Sequence, residues 1–276
     1  MPVRILRQRQ GFSCLPLPAG CYKVKRRCLR AGDKDDGASG FPNETAMDLD
    51  LNCDLGEGCA YDAELMPLIT SASVACGFHA GDASTARAAL RLAARYGVQA
   101  GAHPGYADRE HFGRRELARS EDQIFEECVY QVGALAGLAN AEGVTLRYLK
   151  PHGALYNQAC RDEAYARPVV AAADLFGLAV MGLPGSRLEA ASAGRCRFVA
   201  EGFADRRYQP DGSLVPRSEG NAFVDDADEA VRQAQWLLES RGVRTLCVHG
   251  DNPRALDFVR RLRAELLKQA VTLRPV

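Results

Sequence analysis

Lys150 closes a short apolar run in "YLKPHGALYN" (148–157), where a long cation is not normally placed, and His152 follows it across a proline. A lysine partly withdrawn from water can offer positive charge to a developing oxyanion, or act as a base if its pKa falls. Other stretches carry the same kinds of side chain. "NCDLGEG" (52–58) sets Asp54 and Glu57 three residues apart, a pair able to divide acid and base roles or to hold a cation. In "GFHAGD" (77–82) His79 and Asp82 flank a tight turn. The aspartate can fix the imidazole tautomer, both can join Asp54 as metal ligands, or Asp82 can cap the next helix. "GAHPGYADREHFGRRE" (101–116) brings His103, glycines at 105 and 113 that would let a loop close as a lid, and Arg114 and Arg115 to clamp a carboxylate. "AEGFADRRYQPDGSLVPR" (200–217) supplies Glu201 as base or ligand and Arg206 as an anion contact. "CVHGDNP" (247–253) supplies His249 and Asp251 beside a helix start that can face an anion.

Any one of these has a plain structural alternative, such as a satisfied histidine, a solvated turn or a surface ion pair. The elements that carry them argue for chemistry. From Met47 onward, short apolar strands alternate with glycine-bearing loops and helical stretches. Strands are expected at Leu49–Cys53, Ser73–Cys76, Val98–Ala102, Leu146–Leu149, Ala179–Leu183, Phe198–Glu201 and Leu246–Val248, with a weak eighth near Val271–Leu273. Helix ends are marked by a capping box at Ser120–Gln123, by Gly97 and Gly242, and by Asn252-Pro253. This alternation predicts an α/β fold with about seven parallel strands. Six of the seven strands end in a charged residue or a histidine, and four of the five histidines lie at such ends. A doubly wound sheet gathers its chemistry at one switch point, whereas a (β/α) barrel takes it from many strand ends, so the spread favours the barrel.

Composition sets the outer bounds. The 276 residues carry 35 basic and 35 acidic side chains, so no net charge points to nucleic acid, and no apolar run reaches membrane-spanning length. Residues 1–46 hold nine Lys/Arg against four Asp/Glu, lack a helical or strand period, and read as a disordered basic extension or as an upstream start. Residues 47–276 read as one catalytic domain. The head has no clean apolar segment of a secretory signal, and ten scattered cysteines without a CxxC pair read as reduced cytoplasmic thiols. No GxxxxGK[ST], GxGxxG after a strand, GxSxG or HExxH occurs, which excludes the usual nucleotide loops and the serine-nucleophile elbow. What remains is an acid/base or metal-assisted enzyme acting on a small, anionic, carbonyl-containing substrate.

From about Asp48 to the C-terminus, "DLNCDLGEG", "MPLITSASVACGFHAGD", "GAHPGYADREHFGRRE", "LKPHGALYN", "EGFADRRYQPDGSLVPR" and "CVHGDNP" occur in the order that resembles the LamB/YcsF family. That family provides the A subunit of the bacterial ATP-dependent 5-oxoprolinase. The resemblance implies a barrel related to carbohydrate deacetylases. It implies opening of the 5-oxo-L-proline lactam to L-glutamate with ATP as cosubstrate, in a complex with subunits B and C. On it, Asp54, Glu57, His79, Asp82, His103, Lys150, His152, Glu201 and His249 are expected to be catalytic. Arg114, Arg206 and Asp251 are expected to hold substrate or phosphate. A divalent metal on Asp54, His79 and Asp82 is the further possibility raised by the barrel kinship. It leaves open two alternatives: a metal-dependent hydrolase or deacetylase of a small or carbohydrate-type substrate, and a non-catalytic component that presents substrate.

Overall fold

A computed structural model describes residues 48–249, 255–269 and 271–276. The basic head, Asp251 and the Asn252-Pro253 helix start lie outside the described residues. The strands are β1 (Asp48–Leu55), β2 (Ser71–Ala75), β3 (Gln99–His103), β4 (Leu146–Leu149), β5 (Ala179–Gly182), β6 (Phe198–Phe203), β7 (Thr245–His249) and β8 (Thr272–Leu273). The helices are α1 (Asp62–Leu65), α2 (Ala83–Tyr96), α3 (Glu121–Ala141), α4 (Gly153–Arg161), α5 (Glu163–Leu175), α6 (Arg187–Ser192), α7 (Ala227–Arg241) and α8 (Ala255–Lys268).

Strands β1 to β7 pair in parallel in chain order, and β1 pairs with both β2 and β7, which closes a seven-stranded barrel. The short β8 adds to the start of β1. Each expected strand is present, with ends shifted by a few residues at most. Local end signals place the helices. Ser120 and Gln123 exchange side-chain and backbone hydrogen bonds at the start of α3, and Gly97 and Gly242 close α2 and α7. The apolar stripe of α8 (Val259, Leu262, Leu266) is buried against the barrel. Among the described residues no helix is long and apolar enough to cross a membrane.

The barrel has two unlike surfaces. In β1 the side chains alternate, as they must in a strand. Leu49, Leu51, Cys53 and Leu55 face the helices and join the main core. Asp50, Asn52 and Asp54 face inward and are buried. Their parallel partners carry the same inward face around the sheet: Ser71 and Ser73 on β2, and Thr245, Cys247 and His249 on β7. At the floor, Asp50 accepts from Thr70 Oγ1 (2.6 Å), Ser71 Oγ (2.7 Å) and Thr245 Oγ1 (2.5 Å). Burial raises its carboxyl above the ordinary value despite those donors. Across the barrel Tyr148, Ala179, Met181 and Val199 form an apolar plug. Gly101 is required there, because a Cβ would lie 2.2 Å from the Tyr148 ring. The polar column and the plug together seal the bottom, so chemistry is confined to the strand C-terminal ends.

Candidate active site

Asp54 and Lys150 form the centre of that upper end. Lys150 is buried, and its ammonium contacts Asp54 Oδ1 (2.8 Å), Glu201 Oε1 (2.9 Å), Asn52 Oδ1 (3.1 Å) and Cys247 Sγ (3.0 Å). Burial alone would lower the lysine pKa. The charges of Asp54 and Glu201, with the Cys247 sulfur beside them, outweigh it and hold the group well above 10.5. Lys150 is therefore a fixed ammonium, which fits the first of its two expected roles, a source of positive charge, and not the second, a base. Burial opposes ionisation of Asp54 too, but His103 and Lys150 beside it drive its carboxyl well below the usual range. Glu201 Oε1 also accepts from Asn52 Nδ2 (3.1 Å), while its Oε2 and the Tyr156 hydroxyl are buried without a hydrogen-bond partner.

Three histidines gather beside Glu57. Its Oε1 lies 3.2 Å from His79 Nε2, 3.3 Å from His152 Nδ1 and 3.9 Å from His103 Nε2. Backbone carbonyls fix two of the rings: His103 Nδ1 lies 2.8 Å from the Lys150 oxygen, and His152 Nε2 lies 2.8 Å from the Phe112 oxygen. A carbonyl oxygen only accepts, so each of those nitrogens carries its proton. The other nitrogens, His103 Nε2 and His152 Nδ1, face each other at 3.0 Å. His103 Nε2 is also 3.3 Å from Asp54 Oδ2. The His79 ring lies flat on His152, with centroids 3.7 Å apart and planes at 3°. Burial depresses the pKa of His79, and it depresses His152 strongly, with His79 and His103 adding to the effect. At His103 the Asp54 charge and hydrogen bond overcome burial and raise it.

The loop after β3 builds this cluster. Phe112 has φ +53°, the one non-glycine residue with positive φ among the described residues, and its carbonyl meets His152 there. Gly105 exchanges two 3.0 Å hydrogen bonds with the Gln131 amide, and Tyr106 is buried with its hydroxyl 2.7 Å from Gln158 Oε1. Cβ atoms at Gly105 or Gly113 would come 2.7 Å from His79. The glycines thus allow close packing of a pinned loop, which replaces the expectation of hinges for a lid.

On the other side, His249 at the end of β7 has Nδ1 2.8 Å from Asp205 Oδ2, and its own amide donates to the same oxygen at 3.1 Å. Burial would raise the Asp205 carboxyl, but His249 holds it below its ordinary value. The aspartate fixes the Nδ1–H tautomer and turns Nε2 inward, 4.0 Å from Asp54 Oδ2. Asp54, His103, Lys150, His152 and His249 line one cavity of about 640 Å³. Its wall carries Arg114, Arg206 and Arg217. Arg206 donates to the Val215 (2.6 Å) and Ala222 (3.3 Å) carbonyls, and both Arg206 and Arg217 lie over the Phe223 ring. Burial, reinforced by Arg217, lowers the Arg206 pKa to about 10.

Eight of the nine residues expected to be catalytic thus meet in one region: Asp54, Glu57, His79, His103, Lys150, His152, Glu201 and His249. Asp82 does not join them. It is exposed, and its carboxylate caps α2 by accepting from the Ser84 and Thr85 amides, both at 2.9 Å. The metal trio of Asp54, His79 and Asp82 is therefore not assembled, and the partner of His79 is Glu57. Arg114 reaches the cavity, but Arg115 pairs with Asp108 at 3.2 Å. Asp251 lies outside the described residues. Asn52, Tyr156 and Cys247 were not foreseen. The alternation of "DLDLNCDL" could have found Asn52, because it puts Asp50, Asn52 and Asp54 on one face.

Comparisons with known proteins bear on the family and the fold. The LamB/YcsF family model matches residues 49–276. The A subunit of a 5-oxoprolinase from Symbiobacterium thermophilum is 44% identical over 245 residues, covering 82% of this chain and 94% of its own. The crystal structure of a lactam utilization protein from Thermus thermophilus superposes with TM-score 0.76 at 39% identity, covering 83% of this chain and all of that one. The catalytic domain of a peptidoglycan N-acetylglucosamine deacetylase from Eubacterium rectale shares the fold, with TM-score 0.50 at 11% identity over 87% of this chain and 92% of that one.

Proposed function

The chain belongs to the LamB/YcsF family, and we propose that it opens the lactam of 5-oxo-L-proline to L-glutamate with hydrolysis of ATP, as the A component of a complex with subunits B and C. The 44% identity to the A subunit of a 5-oxoprolinase supports this activity. The observation that carries the proposal is the meeting, in one cavity, of Lys150-bound Asp54 and Asp205-bound His249 beneath three arginines.

A lactam is a poor electrophile and its opening is uphill, so the amide oxygen needs activation. Transfer of the ATP γ-phosphoryl group to that oxygen releases ADP and leaves a carbon that water can attack. When the tetrahedral adduct collapses, the C–N bond breaks, and hydrolysis then yields glutamate and inorganic phosphate. His249 has its Nδ1 proton committed to Asp205, so Nε2 is the nitrogen available to take a proton from the attacking water. The same ring can return it to the departing ring nitrogen. The Lys150 ammonium keeps Asp54 ionised and supplies a fixed positive potential below the reacting carbon. Arg114, Arg206 and Arg217 suit the substrate carboxylate and a phosphoryl group, a role that needs no glycine-rich phosphate loop. Placement in the cytoplasm is supported by Cys53, Cys76, Cys128, Cys160, Cys196 and Cys247, all free thiols.

The test is glutamate release from 5-oxoproline by the chain co-purified with subunits B and C, with and without ATP. ATP-dependent release that His249→Ala abolishes is expected. A full complex without turnover, or one indifferent to His249→Ala, would refute the proposal.

A further inference from the structure

The contact between His103 Nε2 and His152 Nδ1 needs a positive charge between them. Both rings already spend their other nitrogen as a donor to a carbonyl. If the facing nitrogens were bare, two lone pairs would oppose each other at 3.0 Å. A shared proton or a metal ion removes that repulsion. The surroundings favour the larger charge: Asp54 and Glu201 share one ammonium, Lys150, while Glu57 lies against the histidines, which leaves two more carboxylates than lysines among these side chains. Buried carboxylates in excess are costly unless paired or bound to a metal.

The spacing of the donors fits an ion. Ligands about 2.1 Å from one metal lie about 3.0 Å apart at a right angle and about 3.4 Å apart at a tetrahedral angle. His103 Nε2 and His152 Nδ1 are 3.0 Å apart, His152 Nδ1 and Glu57 Oε1 3.3 Å, and His103 Nε2 and Asp54 Oδ2 3.3 Å. Carbonyl-anchored imidazoles are the usual outer support of metal-binding histidines, because the anchor fixes which nitrogen faces the ion. We propose that His103, His152 and Glu57 hold a divalent transition-metal cation, with Asp54 closing the set. Two imidazoles and two carboxylates suit zinc, iron(II), cobalt or manganese over magnesium or calcium.

His79 falls outside this set although its Nε2 lies among the donors. Its plane is parallel to that of His152 at 3.7 Å, so the in-plane lone pairs of the two rings cannot meet at one ion. Its Nε2–H instead donates to Glu57 Oε1 and orients that carboxylate, which leaves the buried Nδ1 without a partner. A second donor group, Asp54, Cys247 and His249, competes only through Asp54. There the Cys247 thiol contacts the Lys150 ammonium, and the His249 Nδ1 is tied to Asp205.

This inference rests on the donor geometry and not on the lactam reaction, so it is tested by binding. The full chain is stripped with chelator, titrated with cobalt(II), and followed by visible absorption, metal analysis and calorimetry. One equivalent per chain with d–d bands and no near-ultraviolet thiolate-to-cobalt band is expected. Glu57→Gln should weaken binding more than about 100-fold, and His79→Asn about 10–100-fold as an outer support. Cys247→Ala should leave binding unchanged. Circular dichroism of each variant separates lost binding from lost folding. The wild type needs no such control. Failure of the wild type to bind one equivalent would overturn the proposal in favour of a shared proton, and a thiolate band would overturn it in favour of the Cys247 group.

Discussion

Asp205 receives two hydrogen bonds from His249, one from Nδ1 at 2.8 Å and one from the backbone amide at 3.1 Å. The carboxylate thus holds both the ring and the strand end that carries it. Replacing Asp205 by Asn keeps the shape but lets the ring adopt the wrong tautomer, with the proton on Nε2. General-base assistance is worth about 10²–10⁴-fold, so Asp205→Asn should lower kcat for glutamate release by about that factor with a small change in KM. A change in KM alone would show that Asp205 holds substrate or only supports the fold.

Lys150 supports several groups at once. Its removal strands Asp54, Glu201 and Asn52, each within 3.1 Å of the ammonium. Breaking a buried ion pair on one side costs about 3–5 kcal/mol. Lys150→Met should therefore lose about that much in urea unfolding. The double variant Lys150→Met/Glu201→Gln should recover part of it, since one uncompensated charge is gone. Equal stability of the single variant and the wild type would mean that the ammonium is not buried among these partners.

The barrel was legible because its signals are local. Strand–loop–helix alternation, the Ser120 capping box and the glycine helix ends each need only a few neighbouring residues, and polar residues at strand ends marked the mouth. The pairings within the mouth were not legible. His79 meets Glu57, 22 residues away, because β1 and β2 lie side by side in the closed barrel. The nearer Asp82 is held by the backbone of α2 instead. Asn52 was missed for another reason: its partners come from distant strands, the Lys150 ammonium from the end of β4, Glu201 from β6 and Thr245 from β7, and no local spacing announces them.

The cap on α2 makes a pH prediction. Hydrogen bonds from the Thr85 amide, then from the Thr85 side chain and the Ser84 amide, overcome slight desolvation and hold the Asp82 carboxyl below its ordinary 3.8. A depressed folded pKa contributes stability above the unfolded value, and that contribution fades as pH falls through the folded value. Asp82→Ala should melt at a lower temperature than the wild type at neutral pH, and the gap should close as pH falls below 3.8. Glutamate release at neutral pH should be retained. A large loss of turnover in a folded Asp82→Ala chain would return Asp82 to the active site.

Gly105 and Gly113 offer a paired test of how the histidines are held. A Cβ at either glycine would lie 2.7 Å from His79, and both come within 3.1 Å of His152. Gly105 has an ordinary backbone, so Ala there meets only the steric conflict, about 1–3 kcal/mol for overpacking. Gly113 has φ +63°, so Ala meets the conflict and adds the strain of a left-handed residue, about 1 kcal/mol more. Urea unfolding should rank wild type, Gly105→Ala and Gly113→Ala in falling stability. Both variants should also weaken cobalt binding, because His79 pushed aside no longer orients Glu57 and His152 moves with it. Stability losses without any change in cobalt affinity would mean that the stacked pair adapts to the loop, and that the loop serves the fold alone.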